Sequence, residues 1–258
     1  MAESNKLLPI NNLTSKELKE IKLIVFDVDG ILVPRGTNIE QNGDTLKIRI
    51  KKIKNEQIEQ IKKLNRFGFN ININSGRGLY MLQEMFRSVL DIVSITYENG
   101  SATWFKGKIY QNVNSFSHLS QVTKKLRIIK HSDIKGFEPK EFILTIHCKK
   151  RVEKIEKIMQ KEKDLYCIWN DEAYDIGIKN IQTKAKGLNL LINLLKLKKE
   201  NVLTIGDNYN DIGMIKLSGI SISSDKERLI GDFYIPINNK KLPSDILMSH
   251  IIKTLKNN

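Results

Sequence analysis

Two carboxylates stand one residue apart in the run Ile24-Val25-Phe26-Asp27-Val28-Asp29-Gly30-Ile31-Leu32. The apolar residues before them read as a buried parallel strand, which delivers Asp27 and Asp29 onto a glycine turn. The carboxyl ends of such strands are where open α/β sheets place their ligands. Acidic groups there are costly unless a cation or a chemical task keeps them. Taken alone, the D-x-D-G letters also fit a calcium loop or a surface turn. Three later segments have the same character. Ile71-Asn72-Ile73-Asn74-Ser75-Gly76-Arg77 ends a strand in a hydroxyl, a glycine and a guanidinium. Lys186-Gly187 opens a helix-like stretch. Val202-Leu203-Thr204-Ile205-Gly206-Asp207-Asn208-Tyr209-Asn210-Asp211 ends a third strand in two more carboxylates.

With these four segments in order from residue 27 to residue 211, the sequence resembles the haloacid dehalogenase superfamily of phosphohydrolases. The resemblance implies Asp27 as the nucleophile that forms an aspartyl-phosphate, splitting a hard hydrolysis into two easier steps. Asp29 would protonate the leaving alkoxide and then activate water, a division of labour that needs two carboxyls in different environments. Ser75 and the Gly76 amide match the positions that bind the transferring phosphoryl group, and Gly76-Arg77 follow as in the sugar-phosphatase branch. Lys186 matches the lysine that neutralises the phosphoryl, with Lys184 as its competitor two residues earlier. A phosphate dianion repels an attacking carboxylate by about 4 kcal/mol at ~4 Å and an effective dielectric near 20. A hard cation such as Mg²⁺ removes that repulsion. Its implied ligands are the Asp27 side chain, the Asp29 carbonyl and Asp207, with Asp211 as ligand or support and Asn210 orienting the loop. Ile31 departs from the family's usual D-x-D-G-T.

The elements that must position these groups follow from pattern. Thr14-Ser15-Lys16-Glu17 is a capping-box sequence ahead of strand 22–27. Asn42-Gly43 marks a hairpin within a long flap, residues 33–54. Ile58, Ile61 and Leu64 mark a helix that Gly68 stops. Strand 69–74, with its alternating asparagines, is unusual for a strand covered on both faces. Helix 78–90, strand 92–97, the turn Glu98-Asn99-Gly100 and a hairpin over 101–111 come next. Residues 112–182 then break the βα rhythm: helix 116–130, strand 141–148, helix 151–163 and strands 165–170 and 173–179 read as a small α+β unit. The rhythm returns in helix 186–196, strand 202–206, helix 211–217, strands 219–222 and 232–235 and helix 243–256.

The expected architecture is therefore α/β: a discontinuous Rossmann-like parallel-sheet core, residues 1–111 and 183–258, with residues 112–182 inserted as an α+β cap. An insert at that point resembles the class IIB cap of sugar phosphatases. Glu98-Asn99-Gly100 resembles the E-N-G of sucrose-, mannosylglycerate- and trehalose-phosphate phosphatases and of phosphomannomutases. The implied activity is Mg²⁺-dependent hydrolysis of a small phosphorylated metabolite, a sugar phosphate by preference. A phosphomutase is the first alternative, and a non-catalytic phospho-ligand-binding relative is the second. A receiver-like module does not fit, because such domains lack both the late G-D-x-x-N-D and a 70-residue insert.

Composition is compatible with this reading. The 258 residues are 40% hydrophobic, without a run of 18 apolar residues and without a signal-like block after the first six. No membrane partner is expected. Cys148 and Cys167 lack metal-ligand spacing and suit a reduced cytoplasmic protein. The net charge of +14 is dispersed: residues 112–182 hold 14 Lys/Arg against 10 Asp/Glu, and residues 1–68 hold 13 against 9. No nucleic-acid partner is expected from so mixed a distribution. Lys47-Ile48-Arg49-Ile50-Lys51 alternates as a half-buried strand does. Trp104 and Trp169 read as packing residues, and His118, His131, His147 and His250 as surface or sheet residues. Arg35 in the flap, and Tyr174 or Lys179 near the cap's return strand, are candidates to face substrate.

Overall fold

The computed structural model describes residues 7–238 and 240–256. Residues 1–6, after which no signal-like block is expected, lie outside them, as do Asn239 and the last two positions of the expected core.

From β1 (Leu8–Pro9) the chain enters a one-turn helix, α1 (Ser15–Leu18). There the Thr14 amide and hydroxyl donate to Glu17 at 2.8 and 2.9 Å. The strand β2 (Leu23–Phe26) is wholly buried, and it ends one residue before Asp27. β3 (Asn38–Asn42) and β4 (Thr45–Arg49) form a separate two-stranded ribbon turning at Gly43. α2 (Asn55–Arg66) buries Ile58, Ile61 and Leu64, and Gly68 at φ +91° ends it. β5 (Asn70–Asn74), α3 (Leu79–Met85), β6 (Val93–Tyr97), β7 (Ala102–Phe105) and β8 (Lys108–Gln111) complete the first part.

Next come α4 (Phe116–Arg127), β9 (Ile134–Glu138), β10 (Leu144–Cys148), α5 (Glu153–Met159), β11 (Leu165–Trp169) and β12 (Ala173–Ile178). The chain closes through α6 (Lys184–Leu194), β13 (Val202–Gly206), α7 (Ile212–Lys216), β14 (Ile220–Ser223), β15 (Phe233–Tyr234) and α8 (Pro243–Lys256).

Among the described residues the central sheet has the order β1-β15-β14-β13-β2-β5-β6-β7-β8. It is parallel from β1 to β6 and antiparallel at its β7–β8 edge. The second sheet, β11-β12-β10-β9, is antiparallel, and none of its strands joins the central one. Two strands lacked a sequence signal. β1 has two residues, and β9 reads Ile-Lys-Gly-Phe-Glu, without clean alternation. The strand expected from residue 141 begins instead at Leu144, because the residues before it form a loop. Helix α6 begins at Lys184 rather than at residue 186, since Thr183 is its N-cap and accepts from the Lys186 amide at 3.3 Å.

The asparagines of β5 have a positional explanation. Ile71 and Ile73 join the large core that includes Phe26 and the α2 and α8 side chains, while Leu23 and Val25 pack with Leu188 and Leu191 of α6 on the opposite face. Asn72 and Asn74 fall on that α6 face beside the hydroxyl residues of β6. Asn72 donates to Ser94 at 3.0 Å and Thr96 at 3.3 Å, and Asn74 donates to the Lys184 carbonyl at 3.1 Å. A polar strip thus receives the first turn of α6. Gly187 permits that approach: a Cβ there would lie 2.3 Å from Thr96 Cγ2 and 2.8 Å from Gly100 Cα. Replacing Gly187 with Ala should cost about 1–3 kcal/mol through overpacking. Urea denaturation checks this, and an unchanged midpoint would contradict the close approach.

Candidate active site

The ends of β2, β5 and β13, the start of α6, the flap and the inner wall of the second sheet converge on one cleft. Asp27, Asp29, Ser75, Gly76, Arg77, Lys184, Asp207 and Asn210 all line it. Asp27 follows β2 directly, its amide donating to Ile205 O at 3.1 Å across to β13. Gly30, at φ +87°, turns the chain beneath Asp207. A Cβ at that glycine would stand 2.0 Å from Asp207 Oδ2, so any side chain would displace the carboxylate.

A buried ion cluster organises the floor. Lys184 Nζ donates to Asp27 Oδ1 at 2.5 Å and to Asp211 Oδ1 at 2.6 Å, and its side chain is 1% exposed. The other oxygen of Asp211 accepts the Asp207 and Asn208 amides at 3.0 and 3.1 Å. Both oxygens of Asp211 are thus engaged within the protein, where they shape the loop that aims Asp207. Arg35 Nε and Nη2 lie 2.9 and 2.6 Å from Asp207 Oδ2. Arg77 forms a two-pronged pair with Asp29, at 2.8 and 2.7 Å.

The lysine expectation needs correction. Lys184, not Lys186, reaches the carboxylates; Lys186 is exposed on the helix surface. As the first residue of α6, Lys184 points back toward the sheet's carboxyl edge. Two residues on, at about 100° per residue, a side chain projects from the opposite side. The missed signal was Thr183, an N-cap that fixes where the helix begins. Arg77 is placed as a partner of Asp29 rather than pointing freely into the cleft. Ser75 Oγ accepts the Arg77 amide at 3.2 Å, and Asn210 lies 3.5 Å from Asn99 Oδ1.

Of the further candidates, Arg35 lines the cleft but Tyr174 and Lys179 do not. Tyr174 is buried, its hydroxyl donating to Glu156 at 2.9 Å, and Lys179 donates to Lys163 O at 2.8 Å. Trp169 packs on Tyr174 with ring centroids 4.8 Å apart. His147 does sit in a strand of the second sheet, but it also lines the cleft, with Glu138, Lys140, Thr145, Glu172 and Asp175. Sequence pattern had singled out none of these last five. Glu98 does more than form a turn. Its carboxylate accepts the amides of Glu141, Phe142 and Ile143 at 3.0, 2.6 and 3.1 Å, which anchors the loop between β9 and β10.

One oxygen from each of Asp27, Asp207 and Asp211 lies within 4.8 Å of the others. Four carboxylates in this floor meet three cations: Lys184, Arg35 and Arg77. Burial, then the neighbouring Asp211, pushes the Asp27 carboxyl well above its ordinary range. The same causes raise Asp207 to about 6 despite Arg35. Surplus negative charge presented by hard oxygen donors fits a divalent cation of the kind typical of this chemistry. Such an ion would relieve the repulsion that raises these carboxyls.

Two consequences can be measured. Lys184→Met should destabilise the fold by about 3–5 kcal/mol, because it leaves buried carboxylates without their cation, whereas Lys186→Ala should stay within about 0.5 kcal/mol. Chemical denaturation of both variants checks this, and equal effects would refute the assignment of the buried lysine. For Asp207, the folded carboxyl at about 6 exceeds its ordinary 3.8. Its stabilising contribution is therefore full below that lower value and is lost as pH rises through the higher one. Thermal melts in chelator should show a fall across this window that is smaller in Asp207→Asn and is flattened by added divalent cation. A fall of the same size in Asp207→Asn would refute it.

A family profile described as haloacid dehalogenase-like hydrolase matches residues 111–225. The chain is 25% identical over 232 residues to the 5-amino-6-(5-phospho-D-ribitylamino)uracil phosphatase of Bacillus subtilis, covering 81% of this chain and 85% of that protein. A shorter match, 38% identical over 55 residues, is to a bifunctional phosphatase/peptidyl-prolyl cis-trans isomerase of Streptococcus pyogenes. It covers 21% of this chain and 12% of that longer protein. Among solved structures, a sugar phosphatase of haloacid dehalogenase subclass IIB superimposes with a TM-score of 0.58 at 17% identity, over 92% of this chain and 98% of that one. The mixed α/β core, the strand-end carboxylates, the profile over residues 111–225 and these phosphatase relatives together make the chain similar to the haloacid dehalogenase-like hydrolases and support an enzyme of the phosphatase kind.

Proposed function

We propose that this enzyme is a Mg²⁺-dependent phosphatase of a small phosphorylated metabolite, a sugar phosphate by class, and that it works through an aspartyl-phosphate on Asp27. The observation that carries the reading is the cleft-facing Asp27, held by Lys184 at one oxygen and grouped with Asp207 at the end of adjacent parallel strands. The sugar-phosphate class is supported by the separate four-stranded sheet over the cleft and by the fold shared with the subclass IIB sugar phosphatase. In this reading residues 112–182 act as the cap that closes over the substrate.

Asp27, Asp207 and the Asp29 carbonyl would hold the Mg²⁺, with Asp211 supporting the loop, and the ion would supply charge neutralisation at the phosphoryl oxygens. Asp27 attacks phosphorus as the ester P–O bond breaks, and Asp29 gives its proton to the departing oxygen. Asp29 then takes a proton from water, which attacks the acyl phosphate, releasing inorganic phosphate and restoring Asp27. Ser75, the Gly76 amide and Lys184 orient the phosphoryl group. Arg77 occupies both oxygens of Asp29, so Asp29 must turn away from the guanidinium before it can transfer a proton. Arg77 thereby sets where Asp29 waits.

Asp27→Asn keeps the shape of the side chain and removes the anionic oxygen, so turnover should fall by about 10⁴-fold or more. Beryllium trifluoride should label Asp27 and no other carboxylate, which mass spectrometry or fluorine NMR reads. Near-normal turnover in Asp27→Asn alongside an inactive Asp207→Asn would mean direct attack by water and would sink the covalent route. Exhaustive chelation should abolish turnover and Mg²⁺ restore it; full activity after chelation would remove the metal from the mechanism.

A further inference from the structure

The wall of the cleft opposite Asp27 is built by the second sheet, and its charge has a definite sign. Lys140 Nζ lies 2.7 Å from Thr145 Oγ1, 3.4 Å from Glu138 Oε1 and 3.7 Å from Asp175 Oδ1. His147 Nε2 is 2.8 Å from Glu138 Oε2, and Thr145 Oγ1 donates to Asp175 Oδ1 at 2.5 Å. Glu172 adds a further carboxylate at the rim, where it accepts the Thr37 amide at 3.0 Å. Lys140 is thus committed to two of three acids. The same holds on the floor, where Arg35, Arg77 and Lys184 each face a carboxylate. Among the described residues that line the cleft, every lysine and arginine is already paired with an acid. No lysine or arginine of that lining is left unpaired for a second anionic group of a substrate, and Lys51, beyond the rim, donates to the Pro34 and Arg35 carbonyls. The Asp175 side chain, 18% exposed, still presents acceptor lone pairs toward the cleft.

We propose that this wall selects a leaving group that carries hydroxyls or an ammonium and no second anion, with Asp175 as a specificity-determining residue. The inference rests on the phosphatase reading above and narrows it to neutral or cationic polyol and sugar phosphates. It excludes phosphorylated carboxylic acids and bisphosphates. It thereby disfavours the mutase alternative, since a mutase must rebind a bisphosphate in this cleft. Substrate hydroxyls donate to the Asp175 and Glu172 carboxylates, making charge-assisted hydrogen bonds. The acids of this wall outnumber its one lysine, so a second anion about 6 Å from that surplus charge, at an effective dielectric of about 20, is disfavoured by roughly 100-fold.

The test uses the full chain with Mg²⁺ and compares kcat/KM for a hexose phosphate, a hexosamine phosphate, phosphoglycolate, a hexose bisphosphate and the generic ester p-nitrophenyl phosphate. The sugar monophosphates should exceed the two anionic esters by about 100-fold, and Asp175→Asn should shrink that ratio by about 10-fold, chiefly through KM. Glu172→Gln, at the half-buried rim, should shrink it in the same direction and serves if the Asp175 variant does not fold. Anionic esters turned over within about 10-fold of the sugar monophosphates, or a ratio unmoved in folded variants, would overturn the selectivity alone. Failure to hydrolyse any ester, p-nitrophenyl phosphate included, would overturn the phosphatase reading and this inference with it.

Discussion

The ammonium of Lys184, held between Asp27 and Asp211, is the interaction on which the rest of the site depends. Three carboxylates brought together without solvent would repel one another, and protonation would be the cheapest relief. Lys184 changes that balance from inside the cluster. It neutralises Asp27 from below while leaving Asp27 on the cleft, and it fixes Asp211, whose second oxygen gathers the amides that shape the Asp207 loop. One cation thereby sets the positions of carboxylates arriving from β2 and β13. It does not neutralise them fully, and the remaining negative charge makes the floor receptive to a divalent ion.

Placing that lysine imposes demands on the sheet beneath it. Helix α6 must begin just after its Thr183 N-cap and lie close against β5 and β6. Gly187 allows the close approach, and Asn74 and Thr103 meet the backbone carbonyls of Lys184 and Gly187, at 3.1 and 3.4 Å. A purely apolar β5 would pack the opposite core equally well but would remove the Asn74 donor from the Lys184 carbonyl. The asparagines in the middle of the sheet are therefore part of the site's support.

The second sheet and the flap close the other side. Glu98 holds the loop before β10 by three amides, and Gln182 donates to Ser101 at 2.9 Å and Phe142 O at 2.6 Å near the return crossing. The ribbon of β3 and β4 reaches the second sheet from the core side. Gln41 accepts the Phe137 amide at 3.1 Å, and Thr37 donates to Glu172. The flap also carries Arg35, so the segment that touches the second sheet touches Asp207 as well.

The sequence by itself determined the parallel core, the positions of Asp27, Asp29, Asp207 and Asp211 at strand ends, and the interruption of the βα rhythm after residue 111. These are legible because apolar runs, glycine turns and strand-end acids are local patterns with strong physical causes. It pointed to Lys186 where the structure buries Lys184. That choice depends on where a helix begins, and a shift of two residues turns a side chain from the core to the solvent. Strand β9, the Lys140–Glu138–Asp175 wall and the Glu98 anchor were equally hidden, since their residues are scattered along the chain and look like ordinary surface charges. Only the tertiary structure decided which charges are buried against one another. Burial is what turns an ordinary acid or lysine into a group that can bind, select or react, because the interaction of two charges depends on a separation and a dielectric that no local pattern encodes.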